Sequence, residues 1–235
     1  MTTTTSAKPC PRRVTVVAGL IGVALTIVVG FVVARLMVDV PNVRAGTVPD
    51  QPFARNYVAY PWPAYLHIAP GLVYLLGALF QLSARFRRHN LALHRRLGRI
   101  LIGCAAFSVG MAVLIGISHP FGGWSEGAAT VVFGLWLLAC LAMAFAAVRR
   151  RDIVQHRRWM IRAFAVGIGI ATIRLWVGLF IALRHVMTSE PPNGPVASTF
   201  GLAFWLGLGV NAAIGEWWLR RPAPQRVPVT SGSTD

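Results

Sequence analysis

Residues 127–162 read GAATVVFGLWLLACLAMAFAAVRRRDIVQHRRWMIR. From Gly127 to Val148 no charged side chain interrupts the run. A helix needs about 20 such residues to cross the hydrocarbon core of a bilayer. The run then stops abruptly at Arg149-Arg150-Arg151, and His156-Arg157-Arg158 follows within a few residues. An apolar rod that ends in guanidinium groups is the pattern of a membrane span halted at a headgroup layer.

The same pattern recurs along the chain. Six segments are long and apolar enough, at 14–38, 63–84, 98–118, 127–148, 160–183 and 198–219. Composition agrees, since 55% of the 235 residues are hydrophobic, 13% are charged and the mean hydropathy is +0.59. A water-soluble domain carries about a quarter charged residues, so this chain cannot cover a wet surface. Its apolar content also excludes disorder. The expected fold is therefore all-α, a polytopic membrane bundle of six transmembrane helices.

Orientation follows from the basic residues. The connections after the second and fourth spans hold Arg85, Arg87, Arg88, Arg95, Arg96 and Arg99, and Arg149, Arg150, Arg151, Arg157, Arg158 and Arg162. The tails add Lys8, Arg12, Arg13, Arg220, Arg221 and Arg226, whereas the opposite side has only Arg44, Arg55 and Arg184. The positive-inside rule then places both termini in the cytoplasm of a cell that carries the protein in its plasma membrane. An even number of spans agrees with this, since it puts both termini on one side. The expected organisation is a cytoplasmic tail at 1–13, a first span at 14–38 and an extracytoplasmic loop at 39–62. A five-helix core at 63–219 and a disordered cytoplasmic tail at 220–235 complete it. The first apolar run exceeds the 7–15 residues of a cleaved leader and lacks a following A-x-A site, so it reads as a signal anchor. The net charge of +16 does not point to nucleic acid, because the bases are split among inter-span clusters. Their expected partners are anionic lipid head groups, with Arg95, Arg96, Arg99, Arg157, Arg158 and Arg162 as the contacts.

Small residues recur at four-residue spacing, in Ala163/Gly167/Ala171, Ala142/Ala146 and Gly209/Ala213. Such rows allow close helix approach in lipid. The three cysteines show no C-x-x-C and no disulfide framework.

Polar groups inside spans carry the functional reading. Arg174 lies 14 residues beyond Met160, about 21 Å along the axis and past the midplane. It is read either as an internally paired or snorkelling arginine, or as a clamp for an anionic ligand. His67 near the outer end of the second span has Gly71 at i+4, and His94 at the start of the third has Gly98 at i+4. A small residue there leaves room for a flat ring or for a neighbouring helix. His94-Arg95-Arg96 and His156-Arg157-Arg158 precede the third and fifth spans, which suggests two related hairpins. Glu216 in the last turn of the sixth span is expected to pair with an arginine of these clusters, and Asn211 lies deeper. No H-E-x-x-H, G-x-S-x-G or G-x-x-x-x-G-K-[ST] occurs, which excludes an ATP-driven pump on this chain and disfavours a hydrolase.

Several of these strings resemble a known family. They are Leu66-His67 with Gly71, Gly77 and Gln81; Leu93-His94-Arg95 with Gly98-Arg99; Arg151-Asp152-Ile153 with His156-Arg157-Arg158-Trp159-Met160-Ile161-Arg162; and Thr172 with Arg174. Over roughly residues 64–180 the chain resembles the bacterial domain-of-unknown-function family 2306 (DUF2306). That resemblance implies a multi-pass membrane protein and assigns no activity. Leu93-His94 with Gly98 is also similar to the Leu-His-Ser-Trp-x-Gly string of ascorbate-reducible transmembrane cytochromes b. That similarity implies bis-histidine haems near each membrane face.

Three functions compete at this point. The first is a haem-b electron carrier with His94 and His156 at the inner site, His67 with His119 or His185 at the outer site, and Arg174 or Arg99 on the propionates. The second is a cofactor-free binding or transport protein with an outward pocket built on His67 and Arg174. The third is a structural or assembly subunit of the membrane.

Overall fold

The computed structural model describes residues 11–50, 52–188 and 197–221. Every regular element among them is a helix: α1 Pro11–Ala45, α2 Pro52–Ala59, α3 Pro61–Leu82, α4 Ala84–His89, α5 Leu91–Ser118, α6 Trp124–Arg149, α7 Ile153–Thr188 and α8 Ala197–Arg220. Five are long and apolar enough to cross a membrane, namely α1 from Gly19 onward, α3, α5, α6 and α7. The expected tails fall largely outside the described residues.

The helices outrun the apolar segments that define the spans. α5 begins seven residues before Gly98, so His94, Arg95 and Arg96 are helical, and α7 likewise includes His156-Arg157-Arg158. The helix continues because neither flank holds a glycine or proline that would halt it. The stretch at 39–62 contains helical turns. It holds the last turns of α1, which run through Pro41 to Ala45, and the short helix α2.

Two turns fix the polar groups in place. Ser83 ends α3 and caps α4, accepting from the Phe86 amide at 3.3 Å. Arg87 folds back to donate to the carbonyls of Gln81 at 2.9 Å and Leu82 at 3.0 Å, where the negative end of the α3 dipole lies. Between α6 and α7, Arg151 takes φ 62°, the left-handed conformation that ends helices. Asp152 caps α7 by accepting from the Gln155 amide at 2.9 Å. This tight reversal sets His156 back against the end of α6.

Packing is antiparallel and sequential. α3 lies on α5, α5 on α6, α6 on α7 and α7 on α8, while α8 also touches α6 and α1 leans on α7. The core gathers Leu75, Leu101, Leu137, Leu141, Val166 and Leu208. Leu135, Phe107, Ile117 and Leu175 point outward and are more than half exposed, as a bundle solvated by lipid tails requires.

The small-residue rows are only partly as expected. Ala163, Gly167 and Ala171 do face the core, but Ala142 and Ala213 face outward. The row on α8 is Ala203, Gly207, Asn211 and Gly215, two residues out of phase with the expected one. A Cβ on Gly207 would lie 2.9 Å from the Ile173 backbone, and one on Gly169 2.9 Å from the Gly207 carbonyl. At this crossing the Thr172 hydroxyl donates towards Gly169 O (2.9 Å) and Gly207 O (3.0 Å), and Asn211 Nδ2 donates to Thr172 Oγ1 at 2.7 Å.

Candidate functional site

Two polar clusters sit at opposite ends of this bundle. The first lies at the end away from the arginine clusters and is built by α1, α2, α3, α5 and α7. Arg35 and Asp39, one turn apart on α1, form a buried ion pair. Tyr65 of α3 donates to the other Asp39 oxygen at 2.7 Å. The Arg35 guanidinium also lies 4.4 Å above the Tyr57 ring of α2. Burial pushes the Tyr57 hydroxyl above its usual pKa, while Arg174 and Arg35 nearby pull it down. Glu126 is close to Tyr57 as well, and its carboxylate accepts from the Gly122 amide.

Arg174 is the unusual member of this cluster. Its Nη1 donates to Ile170 O within its own helix, and its guanidinium rests 3.9 Å from the Phe31 ring centre. Its Nε is sealed from solvent with no hydrogen-bond partner. His67 lies within electrostatic reach of it. The contrast with the other arginines inside the bundle is chemical. Arg35 has Asp39, and Arg162 of α7 grips Glu216 of α8 with both Nε and Nη2, the second at 3.0 Å. No carboxylate among the described residues pairs with Arg174.

His67 is held rigidly. Its Nδ1 is 2.9 Å from the Ser108 carbonyl, which can only accept, so Nδ1 carries the proton and Nε2 the lone pair. Ser108 Oγ donates to His67 O at 2.7 Å. A Cβ on Gly71 would lie 2.7 Å from Ser108 Oγ. The gap beside His67 is therefore filled by α5, and Gly71 serves helix packing rather than a flat ring.

The second cluster lies at the arginine-rich end. His156 Nδ1 donates to Ala144 O at 2.9 Å, which again leaves the lone pair on Nε2. His94, from α5, lies within electrostatic reach of Arg87, His156 and Arg95. His94 Nδ1 and Gln81 Nε2 are both buried without a hydrogen-bond partner. Gln81 Oε1 faces Gly98, 3.6 Å from where a Cβ would stand.

The fold thus brings His67 towards Arg174 and His94 towards His156, each pair across two helices. His119 has other neighbours: its ring stacks on Tyr60 at 3.8 Å and Nδ1 lies 2.9 Å from Ser118 Oγ. Arg95, Arg96, Arg99 and Arg157 are exposed and Arg158 is half-buried, whereas Arg162 is engaged by Glu216, the arginine partner expected for that glutamate. No group of three or more His, Cys, Asp or Glu side chains able to hold a metal ion exists among the described residues. Sequence reasoning missed Asp39, Tyr57 and Tyr65. The Arg35/Asp39 spacing of four was a visible signal, since oppositely charged residues one turn apart pair on a helix. Nothing local marks Tyr57, which reaches the site only through the placement of α2.

Residues 64–219, about two thirds of the chain, match the family described as "Predicted membrane protein (DUF2306)". No curated protein and no solved structure matches the chain.

Proposed function

The chain belongs to the DUF2306 family of membrane proteins, and from that premise we propose that it binds an acidic, lipid-like molecule at the end of the bundle where Arg174 and His67 meet. The observation that carries this reading is the Arg174 guanidinium, buried in part and with no carboxylate among the described residues, whereas Arg35 and Arg162 each have one. A charge within a span is expensive unless paired, so the missing partner is assigned to the ligand. Arg174 supplies the charge, His67 Nε2 accepts a hydrogen bond, and Tyr57 donates one. Phe31 and the seam between α1 and α7 give an apolar tail a route from the lipid.

The reading includes six spans with both termini in the cytoplasm. α8 supplies the sixth, a 24-residue helix packed on α6 and α7, and the loop arginines support the orientation. The ligand end then faces outward. The exposed Arg95, Arg96, Arg99 and Arg157 meet anionic head groups on the inner leaflet.

The test is thermal unfolding of the purified protein in a mild detergent with decanoate or decanol. Decanoate raises the midpoint of the wild type, decanol does not, and Arg174→Ala abolishes the difference. Equal responses to acid and alcohol, or a decanoate response that survives Arg174→Ala, would refute the assignment.

One observation favours a second reading. His94 and His156 approach each other from different helices, and His156 is oriented by Ala144 O as a haem ligand commonly is. These two residues would hold a haem b, which supplies one-electron chemistry when bound. Expression with ample haem decides it: a reduced-minus-oxidised visible spectrum that bleaches in His94→Ala supports haem, and a colourless protein removes it.

A further inference from the structure

α3 carries a polar side chain every seven residues on its inward side. His67 lies at one end, Tyr74 in the middle and Gln81 at the other end. Seven residues are two helical turns, about 10.5 Å, so the three groups divide the span into two equal steps. Each faces the bundle interior. His67 is bonded to Ser108 of α5. Tyr74 is 4% exposed, and its ring meets Gly167 of α7 3.3 Å from where a Cβ would stand. Gln81 faces Gly98 of α5.

Beyond His67, the polar groups that continue this line each hold a side-chain atom without a partner. Tyr74 Oη, Gln81 Nε2 and His94 Nδ1 are three of the five buried polar atoms without a hydrogen bond among the described residues, and Arg174 Nε is a fourth. Buried polar groups are rarely left so, and within lipid each costs several kcal/mol unless water or a ligand meets it. A structural role for Tyr74 would be met as well by phenylalanine. The line also has a polar cluster at each end: Arg174, Tyr57 and Glu126 beyond His67, and His94, His156, Arg87 and Arg95 beyond Gln81. Cys140 of α6 is the titratable group beside Tyr74.

We propose that this interior line, His67–Tyr74–Gln81–His94, is a hydrated path that conducts protons across the bundle. A proton enters at the end that carries His67 and a proton leaves at the end that carries His94, or the reverse. One positive charge crosses per event and nothing is oxidised or reduced. Tyr74 takes part by donating its hydroxyl proton to a water on one side while it accepts one from a water on the other. The path does not depend on the ligand assigned to Arg174.

The experiment uses the full chain in liposomes loaded with potassium and a pH-sensitive dye, with valinomycin added to impose a diffusion potential. The wild type should acidify the lumen faster than protein-free vesicles. Tyr74→Phe should slow this by about tenfold or more, since a positioned proton-transfer group contributes at least that much. Gln81→Leu should do the same, and Tyr60→Phe, at an exposed ring outside the line, should leave it unchanged. Tyr74→Phe removes no hydrogen bond to another described residue, so its unfolding midpoint should stay close to that of the wild type. If wild-type vesicles acidify no faster than empty ones, or if Tyr74→Phe and Gln81→Leu both retain wild-type flux, the proposal is overturned. Loss of flux in Tyr74→Phe and Gln81→Leu with decanoate stabilisation intact would separate the path from the ligand site.

Discussion

Two glycine-to-alanine changes in the same bundle should have opposite signs. Gly207 lies at the crossing of α7 and α8, where a Cβ would stand 2.6 Å from Ile173 Cγ1 and 2.9 Å from both Ile173 Cα and N. The side-chain carbon can rotate away, but the backbone atoms cannot. Ordinary contact begins at 3.4 Å, so α8 must withdraw by about 0.5 Å. The bond from Thr172 to Gly207 O, now 3.0 Å, would then be lost, and that from Asn211 to Thr172, now 2.7 Å, would lengthen. Overpacking of this kind costs roughly 1–3 kcal/mol. The better helix propensity of alanine returns about 0.8–1 kcal/mol, which the lost hydrogen bond offsets, so a net loss of roughly 1–3 kcal/mol remains. Gly103 on α5 has nothing within 4 Å of its would-be Cβ. Gly103→Ala should therefore gain about 0.5–1 kcal/mol. Equilibrium unfolding by titrating a denaturing into a mild detergent measures both. Changes of the same sign, or a Gly207→Ala variant as stable as the wild type, would refute the crossing described here.

The Arg162–Glu216 pair gives a third prediction. Glu216→Gln alone should destabilise by about 1.5–3 kcal/mol, the range for hydrogen bonds to charged groups, and the double variant Arg162→Met/Glu216→Leu should recover most of that loss. A coupling near zero in the full double-mutant cycle would show that the pair does not tie α8 to α7. Arg151→Gly should stabilise by about 1 kcal/mol, because glycine adopts φ 62° without strain, and a destabilised variant would contradict the tight α6–α7 reversal. Asp39→Asn should weaken the hold of α1 by leaving Arg35 without its ion pair, read as faster proteolysis at the α1–α2 connection; an unchanged rate would sink that reading.

How much of this was legible in the sequence depends on the kind of signal. Spans are a matter of apolar length, so α3, α5, α6 and α7 could be placed directly, and the Arg–Glu pairing at Glu216 followed from charge economy in lipid. Helix ends were not legible, because α5 and α7 run on through His94 and His156 into the polar layer. The phase of the α8 row was missed since Gly209/Ala213 and Ala203/Gly207 are equally small on paper. Only the neighbour at Ile173 distinguishes them. Of the candidate site, Arg174 and His67 stood out as polar groups in apolar segments. Gly71 was ambiguous until Ser108 was found in the space beside it. Tyr57 and Tyr74 carried no local mark, because an aromatic hydroxyl near or within a span reads like any other apolar ring until its surroundings are known.

The central claim is that Arg174 holds a charge whose partner comes from outside the chain, and the unfolding midpoint of Arg174→Gln, measured with and without decanoate, tests it most directly. Removal of a half-buried charge that no carboxylate among the described residues pairs should leave the ligand-free variant at least as stable as the wild type, and decanoate should no longer raise its midpoint. A ligand-free variant that unfolds far below the wild type, as the loss of a paired arginine would cause, or one that decanoate still stabilises, would contradict the account.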